Sequence, residues 1–202
     1  QSTAEWRSWN QPVEPFRVVG NVYYVGASDV TAFLITSPEG HILLDGGFAE
    51  TAPQVRDNIR KLGFKVGDVK YLLNSHAHSD HAGGLAALKK WSGAALVASR
   101  ADSAQLEHGG RGDFAWGDQY TYPPVTPDRI VADGESLTVG DAVMVAHITP
   151  GHTRGCTTWT THAKEGGRTL NVVFACSTTA PGYKLVNNSN YPNIVDDFRH
   201  TF

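Results

Sequence analysis

Val69-Lys70-Tyr71-Leu72-Leu73-Asn74-Ser75-His76-Ala77-His78-Ser79-Asp80-His81 is the stretch on which the reading turns. Its first five residues form a short apolar run, the pattern of a buried strand. That strand empties into four metal-capable side chains: His76, His78, Asp80 and His81. Alternate residues of an extended segment point the same way, so His76 and His78 can grip one ion together. As the chain turns into a helix, Asp80 and His81 swing toward a neighbouring position. Imidazole nitrogen and carboxylate oxygen are the ligands of catalytic zinc, whose sites keep a position for water. Two such ions lie about 3.5–4 Å apart and share the hydroxide between them. Ser79 or Asp80 could cap the following helix, but a cap needs one polar residue, not this cluster. Asp45, closing its own strand before Gly46-Gly47, is a candidate to hold a ligand histidine from behind.

Further along, Thr149-Pro150-Gly151-His152-Thr153 follows an apolar strand. Pro-Gly fixes a tight turn that presents one imidazole. Beside the first cluster, His152 becomes the natural third ligand of the first zinc.

Outward from these residues the pattern alternates. Strands are expected over 17–26, 30–36 and 41–45, then a helix over 51–62, with Gly63 stopping it. After the strand 69–73 and the ligand segment come a helix through Trp91, a strand over 94–98 and a helix over 101–108. Residues 109–127 read as loop. Short strands follow at 129–132, 136–139 and 143–148, then hairpin arms over 157–161 and 170–174, and a last helix opening at Tyr191-Pro192-Asn193. Strand–helix alternation of this kind predicts an α/β layered fold.

Cys156 and Cys176 sit symmetrically about residue 166, inside the turn-like Lys164-Glu165-Gly166-Gly167-Arg168. In a hairpin centred there they would face each other, with Cα atoms brought to about 4.5 Å, near the short end of disulfide geometry. A disulfide implies an oxidising compartment; the alternative is a pair of buried free thiols.

The chain has 202 residues with 41% hydrophobic content, enough for one domain with a real core. The net charge is −3 and no Lys/Arg run occurs, so nucleic acid is not an expected partner. No apolar run approaches the roughly 18 residues of a membrane span. Gln1 to Asn10 is polar and lacks the apolar core of a signal peptide, as a mature terminus left by cleavage would.

His-x-His-x-Asp-His after a buried strand, with a later Pro-Gly-His, resembles the metallo-β-lactamase superfamily. The resemblance implies an αββα four-layer sandwich with metals at its edge. It also implies one domain over 1–202, of two pseudo-symmetric halves near 1–125 and 126–202. Lactonases, thioesterases and other hydrolases of that superfamily usually carry a bridging aspartate on the strand ending at Phe174-Ala175-Cys176-Ser177. This chain has no acidic residue between Arg168 and Val195. The first two β-lactamase subclasses place a cysteine ligand on that strand, close to Cys176. The third subclass has serine there. Ser177-Thr178-Thr179-Ala180-Pro181-Gly182-Tyr183 resembles its pattern, as do Trp9-Asn10-Gln11-Pro12 and Gly151-His152-Thr153-Arg154-Gly155-Cys156. Cys176 then stays free for Cys156.

The function implied is hydrolysis of small-molecule β-lactams by a hydroxide held on zinc, in a monomer of the periplasm or secreted space. His76, His78 and His152 would take the first zinc. Asp80, His81 and one more ligand would take the second. Asp80 and Tyr183 count as catalytic, Tyr183 beside the lactam oxygen. Ser177 and Thr179 would bind the drug's carboxylate. Phe114 and Trp116, in the glycine-rich loop, either wall the cleft or tuck into the core. The resemblance puts the last ligand of the second zinc on a strand beyond the final helix. His200 reads as a surface helix position, so the second half is expected to lack its C-terminal end and to hold the second zinc weakly. The rival readings are a lactonase or thioesterase on the same fold, or an inactive zinc-binding domain.

Overall fold

A computed structural model describes residues 4–202. The chain begins with α1 (Ala4–Trp9), β1 (Phe16–Val19), β2 (Val22–Tyr24), β3 (Phe33–Ser37), β4 (Gly40–Leu44) and α2 (Ala52–Lys61). Then come β5 (Val69–Leu73), α3 (Ser79–Ala82), α4 (Leu85–Ser92), β6 (Ala95–Ser99), α5 (Arg100–Glu107) and β7 (Arg129–Val131). β8 (Ser136–Val139), β9 (Ala142–Ile148), β10 (Thr157–Glu165), β11 (Arg168–Phe174) and α6 (Ile194–Thr201) complete it.

Two sheets result. The first runs β1-β2-β3-β4-β5-β6-β7, the second β11-β10-β9-β8. In the first, β4 to β7 are parallel neighbours. Strands buried on both faces read as continuous apolar runs. The pleat sends Leu34, Leu43, Leu72 and Leu96 into a core with Val55, Ile59, Leu85 and Leu88 of α2 and α4. The alternate residues Ile35, Ile42, Leu44, Leu73 and Val97 face Met144, Ala146 and Trp159 of the second sheet. The layers are therefore helices, sheet, sheet, three of the four layers of the expected αββα sandwich. α6 packs through Ile194 and Phe198 on Phe114, Tyr183 and Tyr191. The first sheet takes in β7, which lies past residue 126.

Three local expectations differ. The strand expected over 17–26 is a hairpin, because Gly20-Asn21 makes a two-residue turn with Val19 paired to Val22. The helix expected after His81 is two pieces, α3 and α4, separated at Gly83-Gly84. There the loop after β4 comes so close that a Cβ on Gly84 would lie 2.2 Å from the Gly46 oxygen. The third is the cysteine hairpin. Its ladder pairs Trp159 with Phe174 and Glu165 with Arg168, so its centre falls between residues 166 and 167, one-half residue beyond the expected centre at 166. The cysteines thus lie beyond the ladder, not directly opposite, with Cα atoms 5.8 Å apart, and they are disulfide-bonded. No helix among the described residues is long and apolar enough to cross a membrane. The first three residues of the polar terminus lie outside the described residues.

Candidate metal centre

β5 is flanked by β4 and β6, so the ligand segment leaves from the middle of the parallel region. At that carboxyl end of the strands, α/β proteins build their sites. His76 and His78 are buried there, and the turn between β9 and β10 brings buried His152 to meet them. Ring centroids stand 4.8 Å apart for His76 and His78, 4.7 Å for His76 and His152, and 4.8 Å for His78 and His152. One ring nitrogen from each lies within 4.8 Å of the others. A second group, His76, Asp80 and His81, converges to the same limit. The five residues expected from the sequence are brought together.

Most of these rings are held by the nitrogen that does not face the group. His152 Nδ1 is 2.8 Å from the backbone oxygen of Thr179, which leaves Nε2 facing His78 Nδ1 at 3.1 Å. His81 Nδ1 is 2.8 Å from Asp45 Oδ2, and His76 Nδ1 is 3.1 Å from Ser75 Oγ. Asp45 also accepts from the backbone N–H and hydroxyl of Ser75. This is the arrangement that fixes tautomer and ring orientation at a metal. The buried His78 Nε2 has no hydrogen-bond partner; the nearest carboxylate oxygen, Asp113 Oδ2, is 3.5 Å away.

The electrostatics of the three-histidine group suit a cation. Burial, then the neighbouring imidazoles, hold His76 well below the ordinary histidine range. Burial and His78 push His152 down to about 4. Both therefore offer lone pairs at neutral pH. Burial also works against charge on His81, but the Asp80 and Asp45 carboxylates outweigh it and raise His81 to about 9. Three imidazoles converging on one point, with carboxylates beside them, fit zinc.

The centre opens into a cleft of about 350 Å³ lined in part by Trp116, Ser177 and Thr179. Trp116 stands 4.9 Å from the His78 ring. The Ser177 and Thr179 hydroxyl oxygens are 3.1 Å apart. Phe114 tucks into the apolar cluster with Tyr183 and Tyr191, the core alternative of the two open for it. Tyr183 donates its hydroxyl to the His152 carbonyl at 3.0 Å, so as it stands it steadies the ligand turn. Burial raises the Tyr183 phenol, with Asp113 and Asp80 adding to it. His200 is exposed on α6 and belongs to neither converging group. Cys176 Sγ lies 3.6 Å from His76 Nδ1 but is committed to Cys156.

Several site residues escaped the sequence reading. Glu5, Trp6 and Trp9 bring the N-terminal arm to the cleft. Trp6 stacks on Phe48 at 4.7 Å and meets Tyr120 at 4.9 Å. Asp102 accepts from the Ala77 and Gly155 backbone N–H groups and the Thr153 hydroxyl. Burial raises its pKa, and those hydrogen bonds oppose the rise. Its only local signal is an acidic residue in a first helical turn, which is common without any such role.

Residues 25–164 match the family model of the Metallo-beta-lactamase superfamily. The Rm3 metallo-β-lactamase structure is similar over 100% of this chain and 77% of its own, at 44% identity and TM-score 0.94. FEZ-1 metallo-β-lactamase from Legionella gormanii covers 95% of this chain and 74% of its own, at 41% identity and TM-score 0.92. BJP-1, a subclass B3 metallo-β-lactamase of Bradyrhizobium japonicum, covers 96% and 73%, at 43% identity and TM-score 0.90. Among curated proteins, N-acyl homoserine lactonase AttM of Agrobacterium fabrum is 29% identical over 155 residues, 62% of this chain. The chain spans 57% of that lactonase's length. With the converging histidines, the strand order and the matched family model in agreement, the chain belongs to the metallo-β-lactamase superfamily.

Proposed function

We propose that this protein is a zinc-dependent β-lactamase, similar to the B3 subclass, acting on β-lactam drugs in the periplasm or outside the cell. His76, His78 and His152 would hold one zinc, and Asp80 and His81 would supply part of a second site. When bound, zinc supplies Lewis acidity and lowers the pKa of coordinated water toward about 7, giving a nucleophile at neutral pH. Asp45 and the Thr179 carbonyl fix the His81 and His152 rings, so that each would offer its other ring nitrogen to a metal. Ser177 and Thr179 present paired hydroxyls at the cleft wall, suited to the carboxylate that β-lactams carry. Trp116 stands beside the His78 ring at the cleft wall, where it would meet a bound substrate. Tyr183 steadies the His152 turn through its hydroxyl. The disulfide fits an oxidising compartment.

The observation that carries the reading is the end of β11. There a disulfide-bonded Cys176 and a serine–threonine pair stand, with no carboxylate. Similarity to AttM favours a second reading, a lactonase on the same metal frame. Zinc-loaded protein is assayed with nitrocefin and a carbapenem, and separately with an acyl-homoserine lactone. The first reading expects β-lactam turnover that a chelator removes and added zinc restores, and that His78→Ala reduces to background. Lactone turnover with β-lactams untouched would establish the second reading in its place.

A further inference from the structure

We infer that Asp102 is a positioning residue that sets the distance between the two turns supplying the first zinc's ligands. Its carboxylate is buried, in the first turn of α5. Oδ2 accepts from the backbone N–H of Ala77 at 3.0 Å and from the Thr153 hydroxyl at 2.7 Å. Oδ1 accepts from the backbone N–H of Gly155 at 2.8 Å. Ala77 is the residue between His76 and His78, and Thr153 follows His152. One rigid carboxylate therefore bridges two turns that lie far apart in sequence.

Two further observations support this. The Ala77 peptide is also gripped on its other side, where Tyr122 donates its hydroxyl to the Ala77 carbonyl at 2.7 Å. The link from His76 to His78 is thus fixed through both its N–H and its C=O. Residue 155 is closed to any side chain: a Cβ there would lie 2.1 Å from Ser99 Oγ and 2.7 Å from Asp102 Cγ. The glycine lets the backbone donor reach the carboxylate.

Among the described residues no Lys or Arg pairs with the carboxylate, whose donors are Ala77, Thr153 and Gly155. A buried charge without a counter-ion is costly and persists where hydrogen bonds satisfy it. Here every donor that satisfies it comes from a ligand-bearing turn. Asparagine at this position would keep the volume but turn an N–H₂ toward donors, leaving at least one of them unpaired.

The inference rests on the zinc reading, and the experiment separates the two. Wild type, Asp102→Asn and Thr153→Val are compared by zinc competition against a chelator of known affinity. The absorption spectrum of the cobalt(II)-substituted protein and thermal unfolding without metal are recorded beside it. Asp102→Asn is expected to weaken zinc by roughly 10–100-fold, the usual effect of losing a group that orients a ligand, and to alter the cobalt spectrum. Thr153→Val removes one donor and is expected to weaken zinc less. Should Asp102→Asn fail to fold, Thr153→Val and Tyr122→Phe decide, since each loosens one hydrogen bond of the same clamp. Variants that melt earlier yet keep wild-type zinc affinity and cobalt spectrum would make Asp102 a purely structural residue and overturn the inference alone. Wild type that binds no zinc would bring down the metal reading as well.

Discussion

Asp45 adopts φ +60°, a left-handed conformation that aspartate tolerates better than most residues. From that position Oδ1 accepts from Asn74 and from the Ser75 backbone, while Oδ2 accepts from the Ser75 hydroxyl and His81. The backbone turn aims the carboxylate at the ligand segment, and the carboxylate aims His81. Asp45→Asn keeps the tolerance for positive φ but gives up one acceptor oxygen. Its second-site zinc affinity should fall by roughly 10–100-fold, read by metal analysis after dialysis against graded chelator. An unchanged stoichiometry would mean that Asp45 does not orient His81. Four of the five candidate ligands are legible because their spacing is local, on one short segment after an apolar strand. Asp102 was not, since it joins residues 25 and 53 positions away, and its own neighbourhood looks like an ordinary helix start.

At the scale of elements, β5 matches its expected bounds: Val69, Leu72 and Leu73 are buried, and the polar ligand segment begins directly after Leu73. The hairpin β1–β2 and the break between α3 and α4 are not legible in the sequence, for a shared reason. Each depends on glycines whose meaning is set by what packs against them, which periodicity does not contain. The β10–β11 hairpin carries a consequence for stability. Its disulfide closes a loop with a sequence separation of 20 residues. A cross-link of that span contributes about 3 kcal/mol by restricting the unfolded chain. Replacing both cysteines with serine should lower the unfolding free energy by about that amount in chemical denaturation. It should also loosen the Ser177–Thr179 wall, raising KM for a carboxylate-bearing substrate more than it lowers kcat. Equal changes in KM and kcat would detach the bridge from that wall.

For the whole molecule, the two-sided burial of the first sheet is the organising fact. Trp159 is fully buried between the sheets and donates its indole N–H to the Asn74 carbonyl at 3.2 Å, at the start of the ligand segment. Trp159→Ala should cost about 3–5 kcal/mol, as large-to-small changes of buried aromatics do; chemical denaturation measures it. A loss under 1 kcal/mol would mean that the inter-sheet core collapses around the gap. The layer order could be read from alternation and the family resemblance. The N-terminal arm at the cleft could not, since a short polar stretch with two tryptophans shows no partner until Phe48 and Tyr120 are folded beside it.

Both turns that carry the converging histidines lie past strand ends, while the strands spend their side chains on the two cores. What must stay still and what is free to vary are thereby assigned to different parts of the chain. Loops beyond the strand ends can differ without disturbing the frame that brings the histidines together. That division accounts for proteins named as lactonases and as β-lactamases resembling one and the same chain.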